Sequence, residues 1–282
     1  MKNRTEEVRS LLRLTPDALL RRAKGRLVIC RDNADLHHRF AQEIAAEIRI
    51  GNKHNKPVRL ILPVGPTGQY PLLADIINRE KMNLAHCRFF FMDEYCDKHG
   101  QAFPPEHPLS FYGMMIRLFF SRLNPGCGLA PSQVIFPDQT NIRWLGRRIV
   151  AEGGIDTCYA GVGIHGHLAF NEPGAGVKES GPRRVTLNDF TVTLNAIRAG
   201  VGGNLENFPR QAFTLGLQQI LSARRIRLFC RNDIPGIQWA NTVLRLALFG
   251  EPGDDYPVTH IRKLDYQVFT TVDTAQRPIT VL

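Results

Sequence analysis

Three short segments collect residue types that can move protons or hold an anion. Gly161-Val162-Gly163-Ile164-His165-Gly166-His167-Leu168-Ala169-Phe170-Asn171-Glu172-Pro173 brings two histidines and a glutamate within eight residues, on a backbone loosened by three glycines. A histidine titrates near neutral pH and can pass a proton to or from an oxygen, while a carboxylate can fix its orientation. His165 and His167 at i and i+2 could instead share a strand face and hold a metal, or be structural, but no further clustered ligands accompany them. In Phe89-Phe90-Phe91-Met92-Asp93-Glu94-Tyr95, four apolar residues run straight into two carboxylates. Apolar walls raise a carboxylate's pKa, which suits a proton acceptor; the plainer alternative has Asp93 capping a turn and Glu94 facing solvent. Leu62-Pro63-Val64-Gly65-Pro66-Thr67-Gly68-Gln69 is a loop whose glycines let backbone approach a ligand, and Thr67 adds a hydroxyl. A helix starting there would offer free N–H groups to an anion. The loop is neither a Walker A motif nor a G-x-G-x-x-G fingerprint, and an ordinary strand-to-helix turn would read the same way.

The elements that must position these segments are legible as apolar runs alternating with helical patterns. Strands are expected at 26–30, 58–62, 87–92, 157–162, 226–230 and 267–272. After the first, Asp32 or Asn33 can cap a helix in which Leu36, Phe40, Ile44 and Ile48 recur at a spacing of four. Further helices are expected at 70–79, 110–123, 141–152, 214–221 and 236–249. Continuous apolar runs separated by helices signal a parallel sheet covered on both faces. The reading is a Rossmann-like, doubly wound α/β fold with a mostly parallel sheet, spanning residues 1–282 as one domain. In such sheets ligands bind beyond the carboxyl ends of the strands, where all three segments fall.

Composition narrows the function classes. With 282 residues, 43% of them apolar and 22% charged, the chain fits neither a disordered, a collagen-like nor a small disulfide scaffold. No run of about 18 apolar residues exists, so no membrane partner is expected. A net charge of +10 favours anionic ligands, but the basic residues are scattered and no nucleic-acid-binding module accompanies them. Six cysteines occur singly, without a C-x-x-C pair, and the charged N-terminus lacks the apolar stretch of a secretory signal. A cytoplasmic location with reduced thiols is the expectation.

Taken together, Met92-Asp93-Glu94-Tyr95, Glu106-His107-Pro108-Leu109-Ser110-Phe111-Tyr112, the string 161–173, the loop 63–68 and Ala212-Phe213-Thr214-Leu215-Gly216 strongly resemble the glucosamine-6-phosphate deaminase/isomerase family. These matches follow the family's order from about residue 26 to 272. The resemblance implies an enzyme of amino-sugar metabolism in the hydrolase class, acting on an amino-sugar phosphate without metal, dinucleotide or other cofactor. By the family's pattern, His167 would assist opening of the pyranose ring, with Glu172 orienting it. Asp93 would carry the proton from C2 to C1. Gly65, Thr67, Gly68 and Glu94 would line the sugar and phosphate, with Arg198 the candidate phosphate-binding arginine. Three positions depart from the pattern. His165 stands where the family has an aspartate that supports the ring-opening histidine. Pro66 replaces a glycine, which removes one backbone N–H from the phosphate loop. The family's phosphate-binding lysine has no counterpart between Arg231 and Arg245, and Arg231 follows its strand too closely to be expected in that role. Two alternatives accompany the deaminase reading: a 6-phosphogluconolactonase-like hydrolase and a non-catalytic sugar-phosphate sensor. The family includes monomers and hexamers, so a homo-oligomer is among the expected states.

Overall fold

The computed structural model describes residues 3–281. In chain order the elements are α1 (Arg4–Leu12), α2 (Pro16–Ala23), β1 (Leu27–Cys30), α3 (Asn33–His54), β2 (Val58–Leu62), α4 (Gln69–Arg79), β3 (Cys87–Phe91) and β4 (Asp93–Cys96). There follow α5 (Phe111–Leu118), β5 (Val134–Ile135), α6 (Leu145–Ala151), β6 (Thr157–Gly161), β7 (Arg183–Thr186), α7 (Asp189–Arg198) and β8 (Gln211–Thr214). The chain closes with α8 (Leu217–Leu221), β9 (Arg225–Phe229), α9 (Ala240–Phe249), β10 (Tyr266–Thr271) and α10 (Val272–Ala275).

Successive side chains of a strand point to opposite faces, so an unbroken apolar run must be buried on both. The main sheet obeys this. Leu60, Leu62, Phe89, Phe91, Tyr159 and Phe229 enter one core, built with α3, α4 and α5. Their neighbours Ile61, Phe90, Cys158, Ala160, Ile226 and Leu228 enter the other, with α1, α2, α6, α8 and α9. Strands pair in the order β1-β10-β9-β6-β2-β3-β5, all parallel. Helix α3 shows how sequence dictates the packing. The Asp32 carboxylate accepts from the Asp35 N–H, 2.8 Å away, at the N-terminus. The stripe Leu36, Phe40, Ile44 and Ile48 is fully buried, and Phe40 stacks on Phe229 with ring centroids 3.6 Å apart.

A second, antiparallel sheet of order β4-β8-β7 was not expected. Its strands are four residues long and mix charged, polar and apolar side chains, so none gives a continuous apolar run. Residues 211–214, read partly as the start of a helix, form β8, and α8 begins only at Leu217. The helix expected at 110–123 is interrupted: α5 is capped by Ser110, and a 3-10 turn follows at Phe120–Arg122. Helices α1 and α2 have no counterpart among the expected elements, although Thr15 caps α2 with proline at its first position, a legible start signal. The second sheet rests on its own apolar cluster, including Tyr95, Phe170, Leu187, Val192, Phe208 and Ala212.

Met92 joins the two sheets. Its N–H donates to the Leu62 carbonyl at 3.1 Å, and its carbonyl accepts from the Leu215 N–H at 2.7 Å. The chain leaves β3 there and enters β4 with Asp93 paired to Thr214. All six cysteines are free, five of them buried. Among the described residues no helix is long and apolar enough to cross a membrane.

Candidate active site

The order of strands reverses between β2 and β6. From β2 the chain proceeds outward through β3 and β5, and from β6 it proceeds the other way through β9 and β10. A crevice outside the carboxyl ends of the strands is expected at such a switch point. A cavity of about 560 Å³ lies there, its wall including Gly65, Thr67, Asp93, His167, Arg198 and Arg231.

Two glycines make the close approaches that shape it. A Cβ on Gly161 would overlap the Gly65 carbonyl of the neighbouring loop, and a Cβ on Gly163 would overlap the His167 ring. The loop from 163 closes on itself, with the Gly163 N–H donating to the His167 carbonyl and the Gly166 N–H to the Gly163 carbonyl, both at 2.9 Å. Under the 63–68 loop, the fully buried Tyr70 hydroxyl donates to the Pro63 carbonyl. Gly65 and Thr67 reach the cavity. Gly68 is not among its lining residues: it opens α4 and packs so closely on the His37 ring that a Cβ would overlap it.

Asp93 lines the cavity beside Met92 and Tyr95 and is 8% exposed. Burial, reinforced by the charge of Glu94, pushes its carboxyl up to about 8. Glu94, expected against the substrate, is instead turned into the start of α5. Its oxygens accept from the backbone N–H groups of Tyr95, Phe111 and Tyr112 at 2.8–2.9 Å and from the Ser110 hydroxyl at 3.2 Å. Burial raises this carboxyl to about 7 against the pull of those four donors.

His167 is buried with its Nδ1 unpartnered. Burial above all, then His165 and Arg198, hold its imidazole down to about 3, so it is neutral at working pH. His165 does not line the cavity. Its ring lies 5.8 Å from that of His167 and meets Phe190 edge-on at 5.2 Å, and its Nδ1 is also buried without a partner. Glu172 lies outside the lining too. Its oxygens accept from the Asn188 N–H at 3.0 and 3.2 Å at the cap of α7, and burial raises its pKa. Asn171 pins the intervening strand of loop, donating to the carbonyls of Leu168 and Leu215 at 2.9 Å.

Arg198 ends α7 and lines the cavity. Arg231, set aside in the sequence for following its strand closely, also lines the cavity. Strand β9 stops at Phe229, so Arg231 has already left the sheet and its side chain reaches the cavity. Asp233 and Trp239, in the same irregular segment, were not singled out. Both arginines are ion-paired to Asp233. Nothing in local spacing announced this, because Arg198 and Asp233 are 35 residues apart. Among the described residues no three His, Cys, Asp or Glu side chains gather as a metal site.

The parallel sheet with its switch-point cavity makes this a doubly wound α/β protein whose site lies beyond the carboxyl ends of its strands. Comparison with known proteins agrees. The chain is 31% identical over 210 residues to a glucosamine-6-phosphate deaminase of Caenorhabditis elegans, covering 71% of this chain and 74% of the relative. It is 32% identical over 213 residues to the enzyme of that name from Bacteroides thetaiotaomicron, covering 72% and 74%. A solved monomeric glucosamine-6-phosphate deaminase superposes with a TM-score of 0.76 at 25% identity, over 90% of this chain and all of that one. The 6-phosphogluconolactonase of Thermotoga maritima shares the fold at a TM-score of 0.62 and 16% identity, over 87% of this chain and 98% of that one. No family model matches the chain. The chain belongs to the glucosamine-6-phosphate deaminase family.

Proposed function

We propose that the protein converts glucosamine 6-phosphate, or a close amino-sugar phosphate, to a ketose 6-phosphate and ammonia. The observation that carries this reading is that Asp93, at the start of one sheet, and His167, beyond the end of a strand in the other, face one cavity that also holds two arginines. The His167 imidazole, kept neutral by its burial, accepts the proton of the sugar's O1 hydroxyl and returns it to the ring oxygen, opening the pyranose. Asp93 in its carboxylate form takes the proton from C2 and delivers it to C1 while a proton passes from the amino nitrogen to O1, which turns the open 2-amino aldose into a 2-imino sugar with a C1 hydroxyl. Burial among apolar walls, which raises the Asp93 carboxyl to about 8, makes it a stronger base than an exposed aspartate. Water then adds at C2 and ammonia leaves, so the net reaction consumes one water and is formally a hydrolysis. Thr67, the loop N–H groups, Arg198 and Arg231 receive the phosphate. Glu172 fixes the start of α7 through the Asn188 N–H, His165 stands beside His167, and Glu94 holds α5 against β4. The catalytic unit takes in the whole of residues 1–282.

The test is turnover of glucosamine 6-phosphate, galactosamine 6-phosphate and 6-phosphogluconolactone by the purified protein. Ammonia release from an amino sugar is the expected result. Hydrolysis of the lactone without ammonia release would replace this reading with the lactonase. Silence on all three, with a melting temperature raised by a sugar phosphate, would make the protein a sensor.

A further inference from the structure

Two guanidinium groups in the cavity are held by one carboxylate of the same chain. Arg198 forms a two-point pair with Asp233, Nε to Oδ2 at 2.9 Å and Nη2 to Oδ1 at 3.2 Å. Arg231 adds Nη2 to the same Oδ2 at 3.5 Å. The Trp239 indole N–H donates to Oδ1 at 3.1 Å, and the Arg198 guanidinium lies 4.9 Å over the Trp239 ring. Arg198, Arg231 and Asp233 all line the cavity, yet the Arg231 Nε is buried with no partner. A carboxylate in a bidentate pair with arginine has the geometry of an arginine-bound phosphate.

We propose that Asp233 is an internal anion occupying the phosphate subsite, and that it sets the enzyme's discrimination by competing with the substrate's phosphate for Arg198 and Arg231. This deepens the reading of the site as one for sugar phosphates and rests on it. With Asp233 in place the cluster carries a net charge of +1 instead of +2, counted from the two arginines and one aspartate. An incoming phosphate dianion must displace the carboxylate from the Arg198 fork. The Arg231 Nε, buried without a partner, is a donor left over for the phosphate once the carboxylate has moved aside. Trp239 holds Asp233 in the competing position and keeps Arg198 flat beneath it.

The probe is inorganic phosphate, titrated by calorimetry into the wild type, Asp233→Asn and Trp239→Phe, each first checked for a cooperative melt. Asp233→Asn removes the competing charge and is expected to tighten phosphate binding about tenfold. Trp239→Phe keeps a ring under Arg198 but deletes the indole donor, and should move affinity in the same direction by less. Unchanged or weaker phosphate binding in Asp233→Asn would overturn the proposal, since Asp233 would then be orienting the arginines for the ligand. The KM for glucosamine 6-phosphate is read in parallel and should fall with Asp233→Asn. Tighter phosphate binding with no ammonia release from any variant would retain the internal anion and remove the deaminase reading.

Discussion

Asp93 and Glu94 are neighbours in β4 with opposite assignments: Asp93 lines the cavity, while Glu94 accepts from the N–H groups of Phe111 and Tyr112 at the start of α5. The alternation of a strand separates them. One carboxyl is left for proton transfer and the other anchors a helix, yet the charge of the second still acts on the first.

Replacing Asp93 by asparagine should stabilise the protein in a pH-dependent way. The unfolded chain ionises this aspartate near 3.9, whereas burial raises it to about 8 in the fold. Between these values the unfolded state binds fewer protons, so stability falls as pH rises from about 4 to 8. The amide has no charge to bury, so the Asp93→Asn variant should gain on the wild type by up to about 5 kcal/mol at pH 8, four pKa units at about 1.4 kcal/mol each, and little at pH 4. Thermal melts at the two pH values give the answer; a gain independent of pH would contradict the burial of this charge.

The pH profile should report the same carboxyl. The base form of Asp93 is required, so kcat/KM should climb about tenfold per pH unit below 8 and level off above it. Glu94→Gln removes the like charge and should shift this rise to lower pH, by a fraction of the displacement because burial is the larger cause. It should also lower the melting temperature, since an amide cannot accept from all four donors now facing Glu94. An unmoved profile would show that the rise belongs to another group.

His165→Asp tests the departure from the family's pattern. A carboxylate beside His167 would stabilise the imidazolium that burial and His165 now oppose. Ring opening should accelerate, raising kcat about 3- to 10-fold on the closed sugar. A fall in kcat instead would mean that His165 itself carries a proton.

Among the described residues the fold also holds a buried charge met by carbonyls instead of a carboxylate. Arg245, fully buried on α9, donates to the carbonyls of Leu11, Leu14, Asn241, Ala275 and Gln276 at 2.9–3.1 Å, tying α1 and its following loop to the end of α10. Burial lowers its pKa to about 10, so it stays charged at neutral pH. Arg245→Leu removes all five bonds and should cost about 3–5 kcal/mol in urea unfolding. Lysine, with one nitrogen, should recover less than half. A leucine variant within about 1 kcal/mol of wild type would show that water satisfies these carbonyls.

The main sheet was legible because a strand buried on both faces must be apolar throughout, as in Leu60-Ile61-Leu62 and Phe89-Phe90-Phe91. The second sheet was not, because Arg183 and Arg184 in β7 and Gln211 in β8 read as loop until their partners are known. The same divide runs through the site. Asp93 and His167 sit in dense local motifs, whereas the Arg198–Asp233 pair is created only by tertiary folding. Glu94 shows a third case, a motif residue whose chemistry is spent on a helix start that no sequence spacing displays.

The central claim is that Asp93 moves the proton that drives deamination. Ammonia release from glucosamine 6-phosphate by wild type and Asp93→Asn, with both proteins shown to be folded by their melts, tests it most directly. The account predicts steady release by the wild type and a rate about 10²- to 10⁴-fold lower in the variant. Release by Asp93→Asn within about threefold of the wild type would contradict it.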